Sequence, residues 1–241
     1  MAGPDLVFAL ELADLADSLS LPRFRASDLH VETKPDLTPV TDADRAVERA
    51  LRERISAARP GEGVFGEEEG DGGGAVRWIL DPIDGTKNFA RGIPVWATLI
   101  ALERDGEFTV GVVSAPALGR RWWAARGEGA FADGKRIHVS GIAELRDASA
   151  SCSRARDLAM LEPHVAHARG LGDFWQHVLV AEGALDAAVD APLALYDFAA
   201  FAPIVTEAGG RTSAPDGGAP RVREQVVSSN GFLHDAVLAL I

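Results

Sequence analysis

Two carboxylates stand two residues apart in Asp81-Pro82-Ile83-Asp84-Gly85-Thr86. Pro82 stiffens the turn between them, so both can aim at one point. Further acids follow short apolar runs: Glu67-Glu68-Glu69 after Val64-Phe65-Gly66, and Asp197 after Leu195-Tyr196. Acids at the C-terminal ends of strands face the crevice where α/β sheets bind ligands. Clustered carboxylates suit Mg²⁺, which takes oxygen ligands, keeps several waters and binds phosphate oxygens. Two such ions about 4 Å apart can clamp a phosphoryl group and activate water. Gly85 and Thr86 supply the anion-binding half. Glycine lets the backbone come close to a ligand, and amides at a helix start point at an anion. The Thr86 hydroxyl can bond a carboxylate and orient a water. Each piece alone has an ordinary explanation: a solvated turn, a solvated loop, or an N-cap in the case of Asp197. Their co-occurrence with so specific a string is what points to metal-assisted phosphoryl chemistry.

These residues need elements to carry them. Phe8, Leu12, Leu15 and Leu19 recur at helical spacing, which predicts a helix over 4–20. Thr41 or Asp42 caps a second helix with the stripe Val47, Ala50, Leu51 and Ile55, ending before Arg59-Pro60-Gly61. Asp44 then lies in its first turn, where a carboxylate suits the helix dipole. From about 63 to 140 the pattern is that of strands: Val64-Phe65, Trp78 to Leu80, Val95 to Leu102, Thr109 to Ser114, Arg121 to Ala125 and Arg136 to Val139. Asp105-Gly106 and Asp133-Gly134 are hairpin turns between them. The acidic, Gly-rich stretch Glu67 to Gly74 reads as a mobile loop. Beyond 146, strands at Ala148 to Ser153, Leu185 to Val189 and Val226 to Ser229 alternate with helical pieces. Two of these are a helix from Asp197 to Ala208, stopped by Gly209-Gly210, and a last one at Leu233 to Leu240. The fold class is therefore mixed α+β and α/β. An N-terminal α+β half (1–146) carries most of the acids, a C-terminal α/β half (147–241) contributes Asp197, and the site lies between them.

At 241 residues and 47% hydrophobic, the chain can bury one sizeable core or two packed subdomains. Its single Cys152 excludes an internal disulfide and a Cys-rich zinc site, and fits a reducing cytoplasm. The start, Met1-Ala2-Gly3-Pro4-Asp5, has no basic region followed by an apolar run, so no secretory signal is expected. No apolar stretch is long enough to span a membrane. A net charge of −12 argues against nucleic acid and membrane surfaces as partners. It does not exclude a phosphate ester, because bound cations reverse the local sign.

Gly66-Glu67-Glu68, then Trp78-Ile79-Leu80-Asp81-Pro82-Ile83-Asp84-Gly85-Thr86-Lys87-Asn88-Phe89, resembles the inositol monophosphatase family. So do Tyr196-Asp197-Phe198-Ala199-Ala200, Glu207-Ala208-Gly209-Gly210, Val40-Thr41-Asp42-Ala43-Asp44 and Arg126-Gly127-Glu128-Gly129-Ala130-Phe131. The resemblance covers nearly the whole chain and is weakest between about 150 and 175. Within the family it is closest to the bacterial histidinol-phosphate phosphatase branch. That likeness lies in the segments Thr33 to Asp42, Lys87 to Leu102 and Arg120 to Gly127.

The resemblance implies a layered αβαβα sandwich, a homodimer and two to three Mg²⁺ per site. It assigns Glu67, Asp81 and the Ile83 carbonyl to a first ion and Asp81, Asp84 and Asp197 to a second. A third, weaker ion falls to Glu67 with Asp44 acting through water. Thr86 bonded to Asp44 would activate the attacking water, and the Gly85 and Thr86 amides would hold phosphate. Tyr196 replaces the usual Trp. Asp190 stands where a longer Glu often contacts substrate. A cationic amine on the substrate would favour acids outside the metal cluster, and Asp173 and Asp190 are the candidates; their plainer roles are a helix cap and a turn. Trp96, Trp175 and His177 could border an imidazole, although aromatics on apolar segments are more often core. An inositol monophosphatase, or a broader phosphatase acting also on 3′-phosphoadenosine phosphates, remains a second reading. A non-catalytic phosphate sensor is a third, and a structural protein with an acidic face a fourth.

Overall fold

The computed structural model describes residues 2–35 and 37–241. Asp36, inside one of the resembling segments, lies outside them. The chain runs α1 (Pro4–Ser20), β1 (Val31–Thr33), β2 (Pro39–Thr41), α2 (Asp42–Ala58), β3 (Gly63–Gly66), β4 (Gly70–Asp71), β5 (Val76–Asp84) and α3 (Thr86–Ala90). Next come β6 (Ala97–Arg104), β7 (Glu107–Ala115), β8 (Arg120–Ala125), β9 (Gly129–Ala132), β10 (Lys135–Arg136), β11 (Ser149–Cys152) and α4 (Ala155–Leu161). It ends with β12 (His167–Arg169), α5 (Asp173–Ala181), β13 (Ala187–Asp190), α6 (Leu195–Phe198), α7 (Phe201–Glu207), β14 (Arg211–Ser213), β15 (Val226–Ser229) and α8 (His234–Leu238).

One sheet has eight strands in the order β10-β9-β8-β7-β6-β5-β3-β4. Only β3 and β5 pair in parallel. Its central strands are buried on both faces, and alternation sorts their side chains into two cores. Trp78, Leu80, Ile100, Leu102, Val110 and Val112 face α1 and α2. Ile79, Leu99, Ala101, Val113 and Ala115 face α5 and α7. The turns at Asp105-Gly106 and Asp133-Gly134 have positive φ at both residues, as a tight hairpin of right-twisted strands requires. The second sheet, β12-β11-β13-β15-β14, is parallel across its first three strands. Its outer face packs on α4 and α8 through Ala150, Cys152, Leu161, Val227 and Val237. The layers are thus α1/α2, first sheet, α5/α7, second sheet, α4/α8, which is the αβαβα sandwich expected.

Both predicted N-terminal helices form. α2 begins with a capping box: the Thr41 side chain accepts the Asp44 amide, and the Asp44 carboxylate accepts the Thr41 amide. The predicted 197–208 helix is instead two, α6 and α7. Pro203 has no N–H to offer the carbonyl four residues back at Ala199, and the helix breaks at Ala199-Ala200. The stretch 67–74 is not loose throughout. Gly70–Asp71 pairs with β3, and the Glu68 and Glu69 amides donate to the Glu48 carboxylate at 2.7 and 2.9 Å. The strand expected at Arg136 to Val139 ends at Arg136.

Candidate metal and phosphate site

Strand β5 ends at the site because its pairing with β6 is interrupted. Asp81 faces Leu99 and Asp84 faces Ala97, so a bulge holds Pro82 and Ile83 between them. A proline is admissible there because it owes the ladder no N–H. The Thr98 hydroxyl donates to the Pro82 carbonyl at 2.8 Å, and the Ile83 amide donates to Asp81 Oδ1 at 3.0 Å. Gly85 then turns the chain at φ 81°, and a Cβ there would stand 3.1 Å from the Val95 carbonyl. Glycine is required on both counts.

A backbone amide aims each acid of the cluster, from its own strand or helix for Asp81 and Asp197 and from α5 for Asp84. The Phe174 amide, at the start of α5, donates to Asp84 Oδ2 at 2.7 Å. The Ala194 amide donates to Asp197 Oδ2 at 2.6 Å in the first turn of α6. Carboxylate oxygens of Asp81, Asp84 and Asp197 all lie within 4.8 Å of one another. Among the described residues no salt bridge reaches any of the three. Burial, then the charges of Glu67 and Asp84, push the Asp81 carboxyl well above the usual carboxylate range. Burial, then Asp173 and Asp197, do the same to Asp84. Burial pushes Asp197 up to about 7. Three hard-oxygen donors, Asp81 buried and Asp84 and Asp197 half-buried, crowded within reach of one another, fit a divalent cation.

Asp44 lies at the bottom of the same wall, buried. Thr41 fixes one of its oxygens through the backbone amide (2.8 Å) and hydroxyl (2.5 Å). The Thr86 hydroxyl stands 3.4 Å from the other oxygen and 2.9 Å from the Ile83 carbonyl. Burial pushes Asp44 up to about 7, with Glu67 and Glu68 adding to the shift and the Thr41 bonds opposing it.

Glu67 sits on the other side of Asp81, paired with Lys34 at 2.8 Å; Lys34 also holds Glu68 at 2.5 Å. Glu67 is not one of the three mutually close acids. Its loop is seated by Glu48, which is fully buried, takes the next two amides and pairs with Arg52. Gly66 makes this possible, since a Cβ there would lie 2.1 Å from Glu48 Oε1. Sequence reasoning missed Lys34, Glu48 and Asn88, whose Nδ2 donates to the Val95 carbonyl at 2.8 Å. Lys34 lies inside a resembling segment, which was the only available signal for it.

A cavity of about 250 Å³ is bounded by Glu67, Asp81, Ile83, Asp84, Gly85, Thr86, Asp173 and Asp197, with Thr38 and Pro39 of the β1–β2 connection. A second, of about 140 Å³, shares Asp84, Asp173 and Asp197 and adds Phe174, Asp190, Leu193 and Phe201. Both predicted specificity acids therefore line the space next to the cluster. Burial, then Asp190, push Asp173 up to about 6. Trp96, Trp175 and His177 line neither cavity. Trp96 packs with Phe24 and Phe89, Trp175 edge-on against Trp122, and His177 lies buried behind Phe201. Apolar packing won over ligand contact for the two tryptophans, and hydrogen bonds to Asp190 and Ser228 take up His177.

The inositol monophosphatase family model matches residues 4–241. A histidinol-phosphatase of Mycobacterium tuberculosis is 52% identical over 99% of this chain and 98% of its own length. One from Streptomyces coelicolor is 47% identical over 98% and 96%. Among solved structures, the Thermotoga maritima IMPase superposes with a TM-score of 0.92 at 32% identity, covering 99% of this chain and 96% of that one. No described helix is long and apolar enough to cross a membrane.

Proposed function

This chain belongs to the inositol monophosphatase family, and from that premise we propose that it is a Mg²⁺-dependent phosphatase cleaving L-histidinol phosphate to L-histidinol and phosphate, a step of histidine biosynthesis. The observation that carries the metal chemistry is the convergence of Asp81, Asp84 and Asp197 within 4.8 Å, with no salt bridge to any of them among the described residues. Asp81, Asp84 and Asp197 would hold one ion, and Glu67, Asp81 and the Ile83 carbonyl another. Glu67, with Asp44 acting through water, would help place a third, weaker one, for two to three in all. Mg²⁺ held by these residues would supply positive charge to the phosphoryl and leaving oxygens.

The chain's own residues do the rest. Asp44, anchored by Thr41, and Thr86, anchored on the Ile83 carbonyl, orient a water in line with the phosphorus and take its proton. Gly85 and Thr86 amides hold phosphate oxygens, so positioning and electrostatics supply most of the acceleration. The P–O bond to the alcohol breaks as the water oxygen bonds to phosphorus, a second water protonates the leaving alkoxide, and no covalent enzyme intermediate forms. Asp173 and Asp190 receive the cationic amine of the substrate. The division of the chain at 146/147, a homodimeric assembly and a cytoplasmic location complete the proposal. The buried Cys152 thiol, pushed up to about 12 mainly by burial, is unreactive and suits a reducing compartment.

Hydrolysis of inositol 1-phosphate, or of a broader range of small esters, is the alternative, favoured by the close match of fold to the Thermotoga IMPase. Phosphate release with Mg²⁺ from L-histidinol phosphate, inositol 1-phosphate, fructose 1,6-bisphosphate and 3′-phosphoadenosine 5′-phosphate separates them. A kcat/KM about a hundredfold higher for L-histidinol phosphate, some 2.7 kcal/mol of discrimination, is expected. A flat profile removes the substrate assignment and keeps the phosphatase. No release from any ester removes both.

A further inference from the structure

The second cavity contains one acid whose charge the protein itself meets. Asp190 ends β13 and is 4% exposed. Its Oδ1 accepts the Ala191 amide at 2.7 Å, and its Oδ2 accepts Gln176 Nε2 at 3.0 Å. His177 Nε2 lies 3.2 Å from the same Oδ2. On the far side of the ring, His177 Nδ1 is 2.8 Å from the Ser228 hydroxyl, which is 3.1 Å from the Thr212 hydroxyl. The ring has no solvent exposure and stacks flat on Phe201, with centroids 3.9 Å apart and planes at 4°. Phe201 in turn lines the cavity.

A carboxylate only accepts, so Nε2 carries a hydrogen to face Oδ2 at that distance whether the ring is neutral or protonated. In the neutral ring Nδ1 accepts from the Ser228 hydroxyl, and in the protonated ring it donates to that hydroxyl. The opposite neutral tautomer would set an Nε2 lone pair against the carboxylate in a fully buried position, which is costly. The ring cannot turn away, because the Phe201 face and the Ser228 hydroxyl hold its plane. His177 reaches neither cavity, so its effect passes through Asp190.

We propose that His177 is a positioning residue that holds the Asp190 carboxylate as an oriented anion in the second cavity, and that this anion selects phosphate esters bearing a cationic amine over neutral ones. The proposal rests on the phosphatase reading above and deepens it. Asp173, which lines both cavities, has as its only hydrogen-bond donor among the described residues the Asn88 amide at 3.4 Å. A weakly held acid can follow a ligand but cannot choose one. Asp190 is fixed before the ligand arrives, so little is spent on ordering it at binding.

The test uses the full chain with Mg²⁺ and compares kcat/KM for L-histidinol phosphate with that for inositol 1-phosphate. In His177→Phe the ratio falls about tenfold or more, chiefly through KM for the amine. His177→Gln, which keeps an N–H able to reach Asp190, retains most of the ratio. If His177→Phe does not fold, His177→Asn takes its place: its amide falls short of Asp190, and the same fall is expected. A purely structural role would lower both substrates alike and leave the ratio unmoved, and that result overturns the proposal. A wild-type enzyme without preference for the amine overturns the substrate reading and the proposal together. A wild-type preference that survives in His177→Phe overturns the proposal alone.

Discussion

Two kinds of buried acid meet in adjoining cavities, and the protein treats them in opposite ways. Asp81, Asp84 and Asp197 receive single backbone amides, from Ile83, Phe174 and Ala194, and no side-chain donor among the described residues. Burial and the charges of neighbouring acids raise all three. Asp190 is just as buried, yet against the upward push of burial, His177, Ser153 and the Ala191 amide hold it below the ordinary carboxylate range. Burial is common to both groups, so the donors make the difference. In the function proposed here, the acid with donors is the one used for recognition, and the acids without side-chain donors are the ones that take a cation.

Removing one acid from the uncompensated group gives the largest effect. Asp84→Asn is expected to lower kcat by about a thousandfold or more. Metal-free, it should unfold at no lower temperature than wild type, because Asn still accepts the Phe174 amide and one repulsive charge is gone. Steady-state kinetics and a thermal melt on the same sample check both halves. Activity surviving intact would show that the cluster does not hold the metal.

A smaller effect is the pH dependence of metal-free stability. Asp44 and Asp197 are pushed up to about 7 and Asp173 to about 6, from an ordinary value near 4. Between those values the folded state binds more protons than the unfolded one, so stability falls as pH rises. The contribution from these groups is full below about pH 4 and lost above about pH 7. Melts across that window should show the decline without metal and a shallower one with Mg²⁺. Asp190, held below its ordinary value, contributes with the opposite sign, present above pH 4 and lost as pH falls. Equal slopes with and without Mg²⁺ would erase the distinction between the two kinds of acid.

The strong periodicities of this fold could be read in the chain alone. The α1 stripe, the Thr41 cap, the two Asp-Gly turns and the strand ending at Asp81 all arise from local chemistry. What could not be read depends on partners far away in sequence. The three-residue strands β1, β2, β12 and β14 are too short to show alternation and exist through their neighbours. The grip of Lys34 on Glu67 and the seat that Glu48 makes for Gly66 span gaps no local pattern reveals. Helix α6 separated from α7 although Pro203 was in plain view, because a proline near a helix start is usually harmless. In the site, the acids stood out because several lay in one specific string. His177 stood out only as a ring that could border an imidazole, not as a partner of Asp190, because its neighbours Ser228 and Asp190 come from two other strands.

Thermal unfolding of the wild-type chain near neutral pH, with and without Mg²⁺ plus inorganic phosphate, tests most directly whether the cluster awaits a cation. At about a hundred times the dissociation constant, linkage predicts about 2.7 kcal/mol of stabilisation. For a chain of this length that is a rise in Tm of about 5–10 °C. A melting temperature unmoved by Mg²⁺ and phosphate would mean that Asp81, Asp84 and Asp197 are not a metal site, and the chemistry assigned to them would fail.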